Sequence, residues 1–205
     1  VVESLQTIGV PAEQIVIFDR QTRELEGAGF PVNRDGPGVR CYGTDGAYTR
    51  SWRLLENEIG ISDILLNSDA LINIPLLKAH GTSGMSFALK NHYGTFDQPA
   101  RYHASIDRAL GALNALQPIA ERTRLTIGDA LNICTRGWHR AVNGDSVLVS
   151  RDPVAHDVVG AQMLAEAAEA EGGNSTVRQR TAPWLDYAAQ LGLGIAAIDD
   201  IELVE

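Results

Sequence analysis

The chain has 205 residues, 44% of them hydrophobic and 21% charged, with a net charge of -9 at pH 7. That length fits one domain, 1–205, able to bury a core without staples. An acidic chain with no basic run excludes nucleic acid and an anionic membrane surface as main partners. Two cysteines, Cys41 and Cys134, give no disulfide framework, and they are too few for an iron–sulfur cluster held by this chain alone, which takes about four thiolates.

Val1–Gly9 reads as the last turns of a helix stopped by Gly9. The expectation is that the N-terminal part of the fold has been cut away. No apolar run reaches the roughly 18 residues that span a bilayer, and no signal peptide is visible. The compartment therefore stays open, with the cytoplasm as default and export still allowed. Gln14–Asp19 (QIVIFD) reads as a buried strand. From Gly27 to Tyr48, Gly, Pro, Asn and Asp make a long loop. Asp69–Pro75 is the second clear strand, and Ser83–Asn91 (SGMSFALKN) reads as a helix with Ser83 as N-cap.

Farther on, Ile106, Ala109, Leu110, Leu113 and Leu116 share one helical face, and Pro118 ends that helix. Arg124–Leu131 (RLTIGDAL) is a third strand, ending near Asp129, and Asp145–Ser150 a fourth. Asp152 as N-cap with Pro153 at the first helical position starts a long helix. Ala182–Gly194 is a further helix, and Ala197–Glu205 reads as a final edge strand. Strands alternating with amphipathic helices predict an α/β domain, its largely parallel or mixed sheet covered by helices on both faces.

Lys78 and Lys90 are the only two lysines; every other basic residue apart from histidine is Arg. In an open α/β sheet, ligands gather beyond the carboxyl ends of the strands. Lys78 and His80 lie just past the Asp69–Pro75 strand. Gly81–Gly84 (GTSG) then leads into the expected helix, so Gly81, Ser83 and Gly84 offer backbone N–H groups to an anion. Ser86 and Lys90 share a helical face, and Asn91 follows. Lys78 and Lys90 are thus expected to converge on a phosphate or carboxylate. No GK[ST] closes the loop, so it is not a Walker A motif. Lys is a compact charge that can lose its proton when buried, which Arg cannot do. The bland alternative is two residual lysines capping helix ends.

Asp129, at a strand end, is the general acid/base candidate beside His80, or else a turn residue. His80, His92 and His103, with Asp107 and Asp129, are candidate metal ligands without HExxH or HxH spacing; otherwise these histidines bond backbone. Asp157, in the first turns of its helix, suits either the helix dipole or a ligand; His156 precedes it. GTSGMS does not match a G-x-S-x-G nucleophile elbow. Trp52, Trp138 and Trp184 read as packing.

IPLLKAH followed by SFALKNHYG resembles the paired lysine segments of the domain of unknown function 362 family. HASID (His103–Asp107), LTIGDAL, VLVSRDPVAHD (Val147–Asp157) and AQLGLG with IELV follow in that family's order, so the resemblance covers essentially the whole chain. NICTRGWHRAVNGD departs from it, standing where the family usually has a glycine-rich segment. Many members carry ferredoxin-like cysteine motifs, which this chain lacks. The resemblance therefore implies that any cluster belongs to an iron–sulfur redox partner. It names a fold and a site, not a reaction. Two readings stay open: a redox-linked enzyme acting on a small anionic substrate, and a non-catalytic ligand- or metal-binding module serving a redox partner. A divalent metal is left open as cofactor, as is the oligomeric state.

Overall fold

The computed structural model describes residues 1–136, 140–173 and 175–204. Helix α1 (Val2–Thr7) buries none of its side chains. Strand β1 (Val16–Ile17) pairs in parallel with β2 (Arg40–Cys41), and α2 (Thr22–Gly27) lies between them in sequence. β3 (Arg50–Leu54) and β4 (Asn57–Ile61) form an antiparallel hairpin, followed by α3 (Asp63–Leu66). Next come β5 (Leu71–Asn73), β6 (Leu76–His80), β7 (Gly84–Ser86) and α4 (Ala88–Asn91). α5 (Ile106–Asn114) and α6 (Gln117–Ala120) precede the two long strands β8 (Thr123–Cys134) and β9 (Ala141–Ser150). α7 (Pro153–Ala170) and α8 (Val177–Gln190) complete this mixed α/β domain.

β8 organises the main sheet. One edge pairs antiparallel with β9 from Thr126↔Ser150 to Cys134↔Ala141. The other pairs in parallel with β5 and then with β6, through Asn73↔Thr126 and Leu76↔Asp129. β5 and β6 are therefore one line of chain interrupted at Ile74–Pro75. Pro75 has no N–H to give, but its carbonyl still accepts from Asp129 N at 2.8 Å. β7 turns back antiparallel onto β6.

The core lies between this sheet and α5, α7 and α8. Leu77, Phe87, Leu89, Leu110, Leu113, Leu164 and Trp184 are buried there. Each such side chain contributes on the order of 1.5–3 kcal/mol by leaving water. Gly128 is required by close approach: a Cβ there would lie 2.3 Å from Phe87 and 2.4 Å from His156 Nε2. Its lack of a side chain is what lets α7 settle onto β8.

Several sequence expectations are corrected. Of the two sheets expected, largely parallel or mixed, the mixed one is present, since the longest pairing, β8 with β9, is antiparallel. Its helical cover is incomplete, because β9 alternates and its outward Val147 and Val149 are 53% and 61% exposed. The strand expected to end near Asp129 runs on to Cys134, since β6 and β9 continue to pair with it. No final edge strand forms over residues 197–204; Ile198–Asp200 is a single 3-10 turn. The β3–β4 hairpin is an element the sequence reading lacked. Ser83 caps no helix, because Gly84–Ser86 is a strand and α4 begins only at Ala88. Trp138 lies outside the described residues. Among the described residues, no helix is long and apolar enough to cross a membrane.

Candidate functional site

The segment Leu76–Asn91 is a hairpin followed by one helical turn. Gly84 adopts φ +80°, a left-handed conformation that lets the chain reverse between His80 and its register partner Gly84. α8 pins the turn: the Arg180 guanidinium donates to the Gly81 carbonyl and, at 3.0 Å, to that of Thr82. Trp184 Nε1 donates to the Ser83 carbonyl at 3.0 Å. Ser83 is buried, and its hydroxyl donates inward to the Met85 carbonyl at 2.6 Å. Gly81, Ser83 and Gly84 therefore form a hairpin corner held by protein groups, and no helix N-terminus opens there.

The helix N-terminus that does exist is already occupied. α4 has four residues, too few to hold together alone. The carboxylate of Asp157, from α7, accepts Ala88 N at 2.7 Å and Leu89 N at 2.9 Å. Asp157 is 0% exposed, so it serves as an internal anion for α4 rather than as a ligand contact. Five residues earlier, Asp152 accepts Val154 N at 2.9 Å and Ala155 N at 2.8 Å and caps α7 as the sequence predicts. The D-P-V-A-x-D segment is thus a pair of caps that fixes α7 and, through it, α4.

α4 delivers Lys90 into the interior. The residue is only 6% exposed. Its Nζ lies 4.1 Å from the centroid of the Tyr93 ring. Among the described residues this ammonium has neither a hydrogen bond nor an ion pair. Its tip is nonetheless not among the fully enclosed polar atoms, whereas Tyr93 Oη is enclosed and has no partner. Burial, with the Lys78 charge added, pushes the Lys90 ammonium down to about 8. Lys78 is half-buried on β6 and is lowered by burial, while Cys134 and Asp19 push it back up. Cys134 is its register partner on β8, so both side chains leave the same face of the sheet. The influence of Asp19 places the end of β1 beside the end of β6.

His80 completes the cluster. Its ring stacks on His103 at 5.7 Å with 16° between planes, and His103 also meets the Tyr93 ring edge-on at 5.7 Å. Burial, then the charges of Lys90, His103, Lys78 and Arg180, lowers His80 to about 4, so it is neutral at pH 7. Contacts assign the tautomers. His80 Nδ1 faces the N–H groups of Thr82 and Ser83 at 3.2 and 3.4 Å, which can only donate, so its proton is on Nε2. His103 Nδ1 faces the Ala100 carbonyl at 3.3 Å, which can only accept, so in the neutral ring the lone pair is on Nε2. The stacked pair therefore offers one donor and one acceptor.

Other predicted residues lie elsewhere. Asn91 is exposed on α4 and donates to Asn73 Oδ1 at 2.7 Å, tying α4 to β5. Asp129 accepts Leu131 N at 3.0 Å, and its charge is not among those that act on Lys78 or His80. His92 is 3% exposed and lowered to about 4 by burial alone, without influence from the other histidines. Among the described residues, no three His, Cys, Asp or Glu side chains gather as a metal site, so His80, His92 and His103 are not brought together as one. Tyr93, Asp19 and Cys134 were not singled out in sequence as members of the site. Tyr93 carried a signal, three residues past Lys90 on the same helical face, and Asp19 ends a predicted strand. Cys134 is placed only by the β8 register.

Two clefts flank the cluster. One, of about 490 Å³, is lined by His80, Gly81, Arg136 and Arg180 among others. The second, of about 510 Å³, is lined by Arg20, Arg23, Tyr48 and Asp97. Lys78 and Lys90 are not among the residues lining either cleft.

A family model described as a domain of unknown function, DUF362, matches residues 1–162. No curated protein and no solved structure matches the chain.

Proposed function

Since the chain belongs to the DUF362 family, whose description names no reaction, we propose its function from the site itself: Lys78 and Lys90 bind one small molecule bearing a carboxylate or phosphate, and the chain acts on that molecule with His80 and His103 as the proton-handling pair. One observation carries this reading. Lys90 is only 6% exposed, feels the charge of a second cation, and among the described residues has no anion of the protein for company. A charge in that position costs several kcal/mol unless a partner is supplied. An anionic ligand supplies it. The Lys90 amine sits on the Tyr93 ring, which His103 meets edge-on, an arrangement that suits the compact ammonium of Lys rather than the planar fork of Arg.

The test is calorimetric titration of phosphate and a panel of small carboxylates against wild type and Lys90→Arg, with folding checked by thermal melt. The Arg variant keeps the charge and misplaces it. It is expected to lose about 1.5–3 kcal/mol, roughly tenfold to a hundredfold in affinity. Arg124→Lys, at an exposed position, is the silent control. Equal affinity of wild type and Lys90→Arg for every anion would sink the reading.

A further inference from the structure

Resting on that reading, we propose that Lys90 is a nucleophilic amine that forms an imine with the carbonyl carbon of a 2-oxo acid whose carboxylate is held by Lys78. The geometry supplies what such an amine needs. Among the described residues no carboxylate pairs with Lys90, so no ion pair opposes loss of its proton. The α4 turn that carries it is clamped by Asp157, which fixes where the amine points. Lys78 is close enough for its charge to depress Lys90. The group it holds must therefore sit close to the group Lys90 attacks, and in a 2-oxo acid carboxylate and carbonyl are adjacent. With its ammonium lowered to about 8, about a tenth of Lys90 is free amine at pH 7, against less than about a thousandth for an ordinary lysine.

The step balances without a co-reactant. Lys90 gives one proton to a base, for which His103 Nε2 has the lone pair. The Nζ lone pair forms a C–N bond while the carbonyl π pair moves to oxygen, which accepts a hydrogen bond from His80 Nε2–H and takes one proton from the new ammonium nitrogen through water. His103 then returns its proton to that hydroxyl, which leaves as water while the nitrogen lone pair closes the C=N bond as a protonated imine. Nothing is oxidised or reduced.

The sequence makes the test unusually clean, because only two lysines and the α-amino group can react. The full chain is incubated with pyruvate, and separately with 2-oxoglutarate, then with sodium cyanoborohydride. Intact mass is measured and the adduct located by peptide mass spectrometry. The expected result is a mass increase equal to the oxo acid less one oxygen, located on Lys90. Lys90→Arg is expected to lower the yield at least tenfold, as is Lys78→Gln, and acetaldehyde, which has no carboxylate, should be trapped far less. No adduct, or an adduct on Lys78 or the α-amino group, overturns the proposal. Should either variant fail to fold, the wild-type mapping still decides. If calorimetry shows anion binding but no imine is trapped, the imine falls and the anion site stands; if neither is seen, both fall.

Discussion

Asp157 and Lys90 are both charged residues hidden from water, and they meet at the same four-residue helix. Asp157 has both carboxylate oxygens engaged, by the N–H groups of Ala88 and Leu89. Lys90, two positions from the first of those donors, has among the described residues only the face of Tyr93. The contrast separates two uses of buried charge. A carboxylate with a backbone N–H on each oxygen, and His156 Nδ1 3.4 Å from one of them, is part of the architecture. An ammonium with no protein anion among the described residues is stability held in reserve, which the proposed anionic ligand would release. The two are linked, since the satisfied charge is what holds the unsatisfied one in place.

The largest test of this contrast is Asp157→Ala. It leaves two buried N–H groups unbonded, and the expected loss is about 3 kcal/mol or more in urea unfolding. Anion binding should weaken as well, because α4 loses its clamp. A variant as stable as wild type would break the architectural half of the comparison. Next comes acid. Burial holds His92 at about 4 in the folded chain, against 6.5 when unfolded. Below pH 6.5 the unfolded state takes the proton first, so stability falls between pH 6.5 and 4, by up to about 3 kcal/mol. His92→Gln should remove its own share of that slope and leave the share of His80, which is also lowered to about 4.

Lys90→Met removes the uncompensated charge and is expected to stabilise the ligand-free chain at pH 7 by about 1–3 kcal/mol. In wild type the folded state sheds this proton near pH 8 while the unfolded state keeps it to 10.5. Stability should therefore rise across that window in wild type and rise less in the Met variant, where Lys78, also lowered by burial, still titrates. A destabilised Met variant with the same slope as wild type would mean that the ammonium is compensated after all. Smaller is Asp152→Ala, which removes the α7 cap at a cost of about 1–2 kcal/mol by thermal melt. Smallest is Asp129→Asn. Its charge does not act on Lys78, so stability is expected within about 0.5 kcal/mol of wild type and anion affinity unchanged. A large loss of affinity there would bring Asp129 back into the site.

The sequence was most legible where a single residue type has one local job. Asp152 followed by Pro153 marks the start of α7, and the period of Ile106–Leu113 marks α5. The lysine pair stood out by composition, and its two members do share an electrostatic neighbourhood. What was not legible depends on contacts far apart in sequence. Gly81–Gly84 looks locally like a loop feeding a helix; only Arg180 and Trp184, on α8, make it a hairpin corner. Asp157 looks available until Ala88 and Leu89 are seen to claim it across the core. The edge strand expected at the end failed because Ile201 and Leu203 alternate like a strand while no neighbouring strand pairs with them.

The break at Ile74–Pro75 bears on the order in which the molecule assembles. β8 and β9 are neighbours in sequence and zip from a nearby turn. The β5–β6 line must instead close onto β8 across α4, α5 and α6, and it must do so twice, on either side of a proline that contributes no N–H. Contacts of long sequence separation pay their chain entropy before they are rewarded. The β8–β9 hairpin is thus expected to form early and the lysine-bearing strand to dock late. By the same logic that strand opens first in the native state, so in hydrogen exchange the amides of β6 should give up their protons before those that join β8 to β9.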